Sequence, residues 1–178
     1  ETILRRMPSI PTQHALIFGH SVNLPTTFKV HEVKPLPKSD NNRISAVAGT
    51  IGGGISNTIS SPGIVSVIAG GRQNTTAGAF ASIGGGFQNQ ALGLNTTISG
   101  GYNNTSLGNY SMIGGGRTNI ASGIGSVIGG GFQNRALATR SAVFGGGSNL
   151  GSAEHVFIGG GQLSTASGVY SVVAGGRE

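Results

Sequence analysis

The 178-residue chain carries eleven Lys and Arg against five Asp and Glu, a net charge of +6, with no Cys, no Trp and only 9% charged residues. The lack of Cys excludes disulfides and thiolate metal sites, and so few charges exclude the usual Lys- and Glu-covered globular surface. Of its 34 Gly, all but Gly19 fall from Gly49 onward, while every Pro except Pro62 falls before Lys38, so the chain divides into an irregular first segment and a Gly-rich remainder.

Residues 1 to 14 show no period and read as an extended tether or the exit of a preceding domain. From Ala15 the run ALIFGHSVN matches AVFGGGSN near Ala142, which predicts a degenerate first coil; Thr26 to His31 alternates like a strand and then meets a Pro-limited loop. The segment 1–36 is expected to cap the open end of the Gly-rich remainder, shielding strand edges that would otherwise recruit other chains, or to serve as a separate attachment element.

From about Pro37 to Glu178 the chain is built on a fifteen-residue unit, clearest as GGGRTNIASGIGSVI from Gly114. With Gly114 as position 1, position 6 is Asn74, Asn89, Asn104, Asn119, Asn134 and Asn149, and then Ser164. Position 15 is Ile83, Ile98, Ile113, Ile128, Val143 and Ile158, and then Val173. Asn57 with Ile68, and Asn42 with Ile51, keep the register if two residues are inserted near Ser60, Ser61 and Pro62. A fixed period of this size means one coil per unit in a stacked array. Gly spacing breaks any 3.6-residue pattern, so each coil is expected to hold two short strands and two Gly turns. The predicted fold is all-β: a parallel β-roll or β-solenoid of about nine 15-residue coils spanning 37–178. A chain that starts at Glu1 and ends in mid-unit is expected to be a piece of something longer.

Each column of the array then has an expected role. The position 15 file is the core ladder. The Asn file is structural, with stacked amides bonding coil to coil and Asn tolerating turn geometry. Each coil gives its interior little more than one Ile and one small residue, so burial must also come from neighbouring chains. Position 14, with Val67, Met112, Val127, Phe157 and Val172, points away from the coil's own core and is the predicted seam between chains. Position 4 (Arg72, Phe87, Tyr102, Arg117, Phe132) and position 12 (Tyr110, Arg140, Tyr170, with Phe80 and His155) carry Arg and aromatic side chains that either cover Gly-rich turns or contact a ligand.

The string ASGIGSVIGGG from Ala121, continuing into FQNRA, resembles the head repeats of trimeric autotransporter adhesins of the YadA type, whose units read A-x-G-x-x-S-x-A-x-G. The likeness spans about four fifths of the chain. It implies a left-handed parallel β-roll, three chains about one axis, display on a bacterial surface and binding to host matrix or other cells. Similar Gly-Asn coils resemble segments of phage tail fibres. The present unit departs from the pattern in being fifteen residues long rather than fourteen, in its Gly-Gly-Gly runs, and in showing no neck, stalk or anchor.

Chemistry is sparse beside this architecture. Acids (Glu1, Glu32, Asp40, Glu154, Glu178) and histidines (His14, His20, His31, His155) include only sequence-adjacent pairs, which in a strand point to opposite faces and cannot converge on a substrate. The Gly-Gly-Gly runs lack the Lys-Ser/Thr of a phosphate loop. No cofactor or metal is expected, nucleic acid is not the expected partner because the basic residues are scattered, and no segment is apolar enough to insert in a membrane. Sequons such as Asn74-Thr75-Thr76 and Asn104-Thr105-Ser106 arise from the repeat itself. The expected function is a non-enzymatic homotrimeric fibre module outside the cell, a stiff spacer with an adhesive face for a matrix protein, cell surface or glycan. The alternatives are a phage or virion tail fibre, and an ice-binding solenoid. The last would need a regular Thr face, whereas Thr58, Thr75, Thr105 and Thr165 at position 7 are interrupted by Gln90, Ile120, Arg135 and Leu150.

Overall fold

A computed structural model describes residues 40–177. The tether, first coil and cap expected over residues 1–36 lie outside the described residues. Positive-φ turns follow one another too closely for any helix, and the described residues form an all-β solenoid of about nine coils. One sheet stacks nine two-residue strands from Arg43–Ile44 to Thr165–Ala166, at positions 7 and 8 of successive coils. The other stacks nine from Thr50–Ile51 to Val172–Val173, at positions 14 and 15. All pairings are parallel, with Met112 beside Val127 and Ile120 beside Arg135 in typical register. The register shifts once: Thr58 pairs with Thr75 and Thr50 with Val67, seventeen residues on, which places the two-residue insertion between Ile59 and Val67.

A third ladder was not expected. Single bridges join position 4 of each coil to the next, from Ile55–Arg72 through Gln162–Arg177. Each coil therefore has three backbone-bonded sides, although only two carry regular strands.

The interior holds four columns. Position 15 supplies Ile68, Ile83, Ile98, Ile113, Ile128, Val143 and Ile158, all fully buried. Position 6 supplies the asparagines, position 8 most often Ala, and position 13 mostly Ser. Positions 8 and 13 of one coil face each other and share a fixed space. Ile44 at position 8 meets Gly49 at position 13, where an added Cβ would lie 2.9 Å from Ile44 Cγ2. At the other end Gly151 at position 8 meets Val156, 3.1 Å from the Cβ that Gly151 lacks. Between these extremes the pairs are intermediate, as in Ala136 with Ser141, or Ser106 with Ser111, whose hydroxyls bond at 2.5 Å. Ser111 and Ser141 at position 13 also donate to the carbonyl three residues earlier, of Gly108 and Ala138, whereas the buried hydroxyls of Ser126 and Ser171 in the same column have no partner among the described residues.

The turns contain the strictest backbone demand. Position 3 is Gly in every coil from Gly54 to Gly161, with φ between 81° and 98° at these sites. A Cβ on Gly131 would lie 2.2 Å from the carbonyl oxygen of Gly146 in the next coil, so both conformation and inter-coil approach require Gly.

Candidate functional site

Position 6 lies just after a left-handed residue, and that residue bends the chain so that the Asn side chain turns inward. Asn119 Nδ2 donates to Gly115 O at 3.0 Å within its own coil, and to Gly131 O at 3.0 Å in the next. Its Oδ1 accepts from the backbone N–H of Asn134 at 2.9 Å. The same pattern recurs at Asn74, Asn89, Asn104, Asn134 and Asn149, all fully buried. The ladder is thus mainly amide to backbone. Within this file, among the described residues, direct amide-amide bonds run only from Asn104 to Asn89 and from Asn119 to Asn104. The Asn does not itself adopt the turn conformation expected of it: the positive φ belongs to position 5, held by Gln73, Gln88, Asn103, Thr118 and Gln133. Because Asn74 and Asn104 are enclosed, their sequons are closed to glycan attachment.

Position 12 is the second left-handed site in each coil. Phe80, Tyr110, Arg140, His155 and Tyr170 all have φ between 53° and 60° there, a conformation that costs L-residues about 1–2 kcal/mol each. Gly125 occupies the column without that penalty and Asn95, a residue type that adopts this conformation more readily, with less of it. Three of these rings are nevertheless exposed, Tyr170 to 72%. Arg140 Nη1 lies 3.1 Å from His155 Nε2, and His155 stacks on Tyr170 with centroids 4.9 Å apart. Glu154 is exposed, and His155 is engaged with these neighbours rather than with a carboxylate.

Position 14 alternates with the buried Ile file and faces outward. Val67, Met112, Phe157 and Val172 are exposed and Val127 is half-buried. The apolar character extends round the corner to position 11, where Val47, Ile64, Ile124 and Val169 are also exposed. Sequence reasoning missed position 11, because its residues include Asn109, Thr139 and Glu154 and show no single type.

Position 4 lies seven residues from position 11 in a fifteen-residue coil, on the third bonded ladder. Its residues are brought into direct contact. The Arg72 guanidinium lies over the Phe87 ring at 4.6 Å, Phe87 meets Tyr102 with centroids 5.5 Å apart and planes tilted 42°, and the Arg117 guanidinium lies over Phe132 at 4.5 Å. Beside it, Gln88 Nε2 bonds Gln73 Oε1 at 3.3 Å along position 5. A protein-family search matches no family model, and no curated protein matches the sequence. Among the described residues, no group of three His, Asp or Glu side chains is placed to hold a metal ion, and no helix is long and apolar enough to cross a membrane.

Proposed function

We propose that this chain is a non-enzymatic module of a trimeric fibre displayed outside the cell, a stiff spacer with an adhesive outer face. Three copies of a left-handed coil, the arrangement implied by its resemblance to autotransporter adhesin heads, pack side by side along the rod. One observation carries the reading: exposed apolar side chains recur at positions 11, 12 and 14, most densely from Val47 to Val67 and again at Val169, Tyr170 and Val172. Clusters of exposed apolar side chains of this kind mark interaction sites. The position 12 side chains are moreover held in a costly backbone conformation, and strain of that kind persists where the side chain has a task.

Nine coils at about 4.8 Å per rung give a rod on the order of 40 Å long, with coil-to-coil hydrogen bonds on three sides. That length and bonding suit a spacer. Sedimentation of the full chain at micromolar concentration tests the assembly. A trimer mass is expected, and a folded, stable monomer would overturn the reading.

A further inference from the structure

We propose that positions 4 and 5, from Arg72 to Gln133, form a track that binds a linear acidic polysaccharide lying along the rod. The inference deepens the adhesive part of the fibre reading by naming what the outer face holds. It starts from the guanidiniums of Arg72 and Arg117, each stacked over the ring of the next coil. Neither side chain donates a hydrogen bond to any described residue, so stacking fixes the fork in place while its N–H edges stay open. A pre-oriented, unpaired guanidinium is suited to a carboxylate or sulfate. The two stand three coils apart, about 14 Å along the rod at about 4.8 Å per rung. From Ile55 to Arg177 the column holds three Arg and no acid, with Asp40 only at its start.

The rings between them narrow the ligand class. Phe87 is covered by Arg72 on one side and Tyr102 on the other, so it turns its electropositive C–H edge outward, which favours an anion. Nucleic-acid binding by base stacking needs a run of open ring faces, whereas both faces of Phe87 and the face of Phe132 under Arg117 are taken. A peptide adding as a strand needs an open backbone edge, but along the side of the rod the backbone groups already bond coil to coil. What flanks the track instead is the amide and hydroxyl row of Gln73, Gln88, Asn103 and Thr118, whose donors and acceptors match sugar hydroxyls. Phe132 is followed in the next rung by Gly147, with no side chain to cover it, and a pyranose ring can lie against that face.

The test uses the full chain at fixed low salt, with polygalacturonate as the carboxylate probe, heparin as the sulfated probe and dextran as the neutral one. Single-stranded DNA serves as a competing polyanion. Binding to an acidic polymer and not to dextran is expected, weakened at least tenfold in the double variant Arg72→Gln with Arg117→Gln at an unchanged melting curve. Arg43→Gln, at the first coil and off the track, should change affinity less than twofold. The proposal fails if the double variant binds like the parent, if Arg43→Gln weakens binding equally, or if DNA outcompetes both polymers. A chain that sediments as a trimer yet binds none of the probes would sink the track and leave the spacer standing.

Discussion

The facing of positions 8 and 13 predicts a strong coupling between Gly151 and Val156. Replacing Gly151 by Ala puts a methyl 3.1 Å from Val156 Cγ2 and 3.4 Å from Ser141 Cβ. Such overpacking costs about 1–3 kcal/mol, offset by about 0.4–1 kcal/mol because Ala restricts the unfolded chain more than Gly, for a net loss near 1 kcal/mol. Val156→Ser alone empties a fully enclosed site and should cost about 2 kcal/mol, with its new hydroxyl able to donate to the Ala153 carbonyl as Ser141 does to Ala138. The double variant recreates the pair already present in adjoining coils, Ala136 with Ser141 and Ala166 with Ser171. It should therefore lose less than about 1 kcal/mol, a coupling of about 2 kcal/mol, within the range found for touching residues. Urea unfolding of the four proteins, followed by circular dichroism, measures it. A double variant that costs the sum of the singles would show that the two columns do not share one space.

Adjacent glycines should respond in opposite ways. Gly130→Ala, with nothing within 4 Å of its Cβ, should shift stability by less than about 0.5 kcal/mol, whereas Gly131→Ala, at φ 89° and 2.2 Å from Gly146 O, should cost about 3 kcal/mol or more; equal melting curves would refute the distinction. Asn119→Leu orphans the carbonyl of Gly115 and the N–H of Asn134 and removes one of the two donors to the Gly131 carbonyl, which keeps the Arg117 N–H; at about 1 kcal/mol or more per orphaned buried group it should cost about 2 kcal/mol, read as a lowered denaturation midpoint. Tyr110→Gly should relieve about 1 kcal/mol of backbone strain and, if the proposed trimer uses this face, make it dissociate at higher protein concentration than the parent's. A variant that is more stable and assembles equally well would remove position 12 from the seam.

Interior columns were legible in the sequence because every coil imposes the same surroundings on them. Asn at position 6 and Ile at position 15 recur since each meets the same atoms one rung away, and from them the period, the insertion and the parallel array follow. Outward columns gave no such signal. The position 4 ladder is made by backbone, so its side chains vary among Arg, Phe, Tyr, Gly and Gln, and nothing in their identities announces a third bonded side. Left-handed sites at positions 5 and 12 are hidden for a related reason: turn reasoning looks for Gly or Asn, and here mostly Gln, Thr, Phe, Tyr and Arg occupy them, with Asn103 the clue in the first column and Asn95 and Gly125 the clues in the second. For the Asn file, spacing suggests amide stacking because it reveals which residues align, whereas the choice of backbone carbonyl as partner depends on how Gly115 and Gly131 turn. Volume exchange between positions 8 and 13 was present in Ile44 with Gly49 and in Gly151 with Val156, yet each column alone looks merely small.

Stability and function thus fall to different columns of one coil. The buried set, positions 6, 8, 13 and 15, together with Gly at position 3, holds rung to rung and tolerates little change. The outward set can vary coil by coil without disturbing the stack, as Arg72, Phe87 and Tyr102 do in consecutive rungs of one ladder. Position 12 tests whether that freedom is merely neutral drift. An exposed site with a left-handed backbone is best filled by Gly, so under stability alone the column should have relaxed toward Gly125. Phe80, Tyr110 and Tyr170 instead hold large exposed rings there against the backbone preference. In the proposed assembly a neighbouring chain offsets that cost, and the exposed valines and isoleucines of position 11 beside the rings suit an apolar neighbour rather than a polar one.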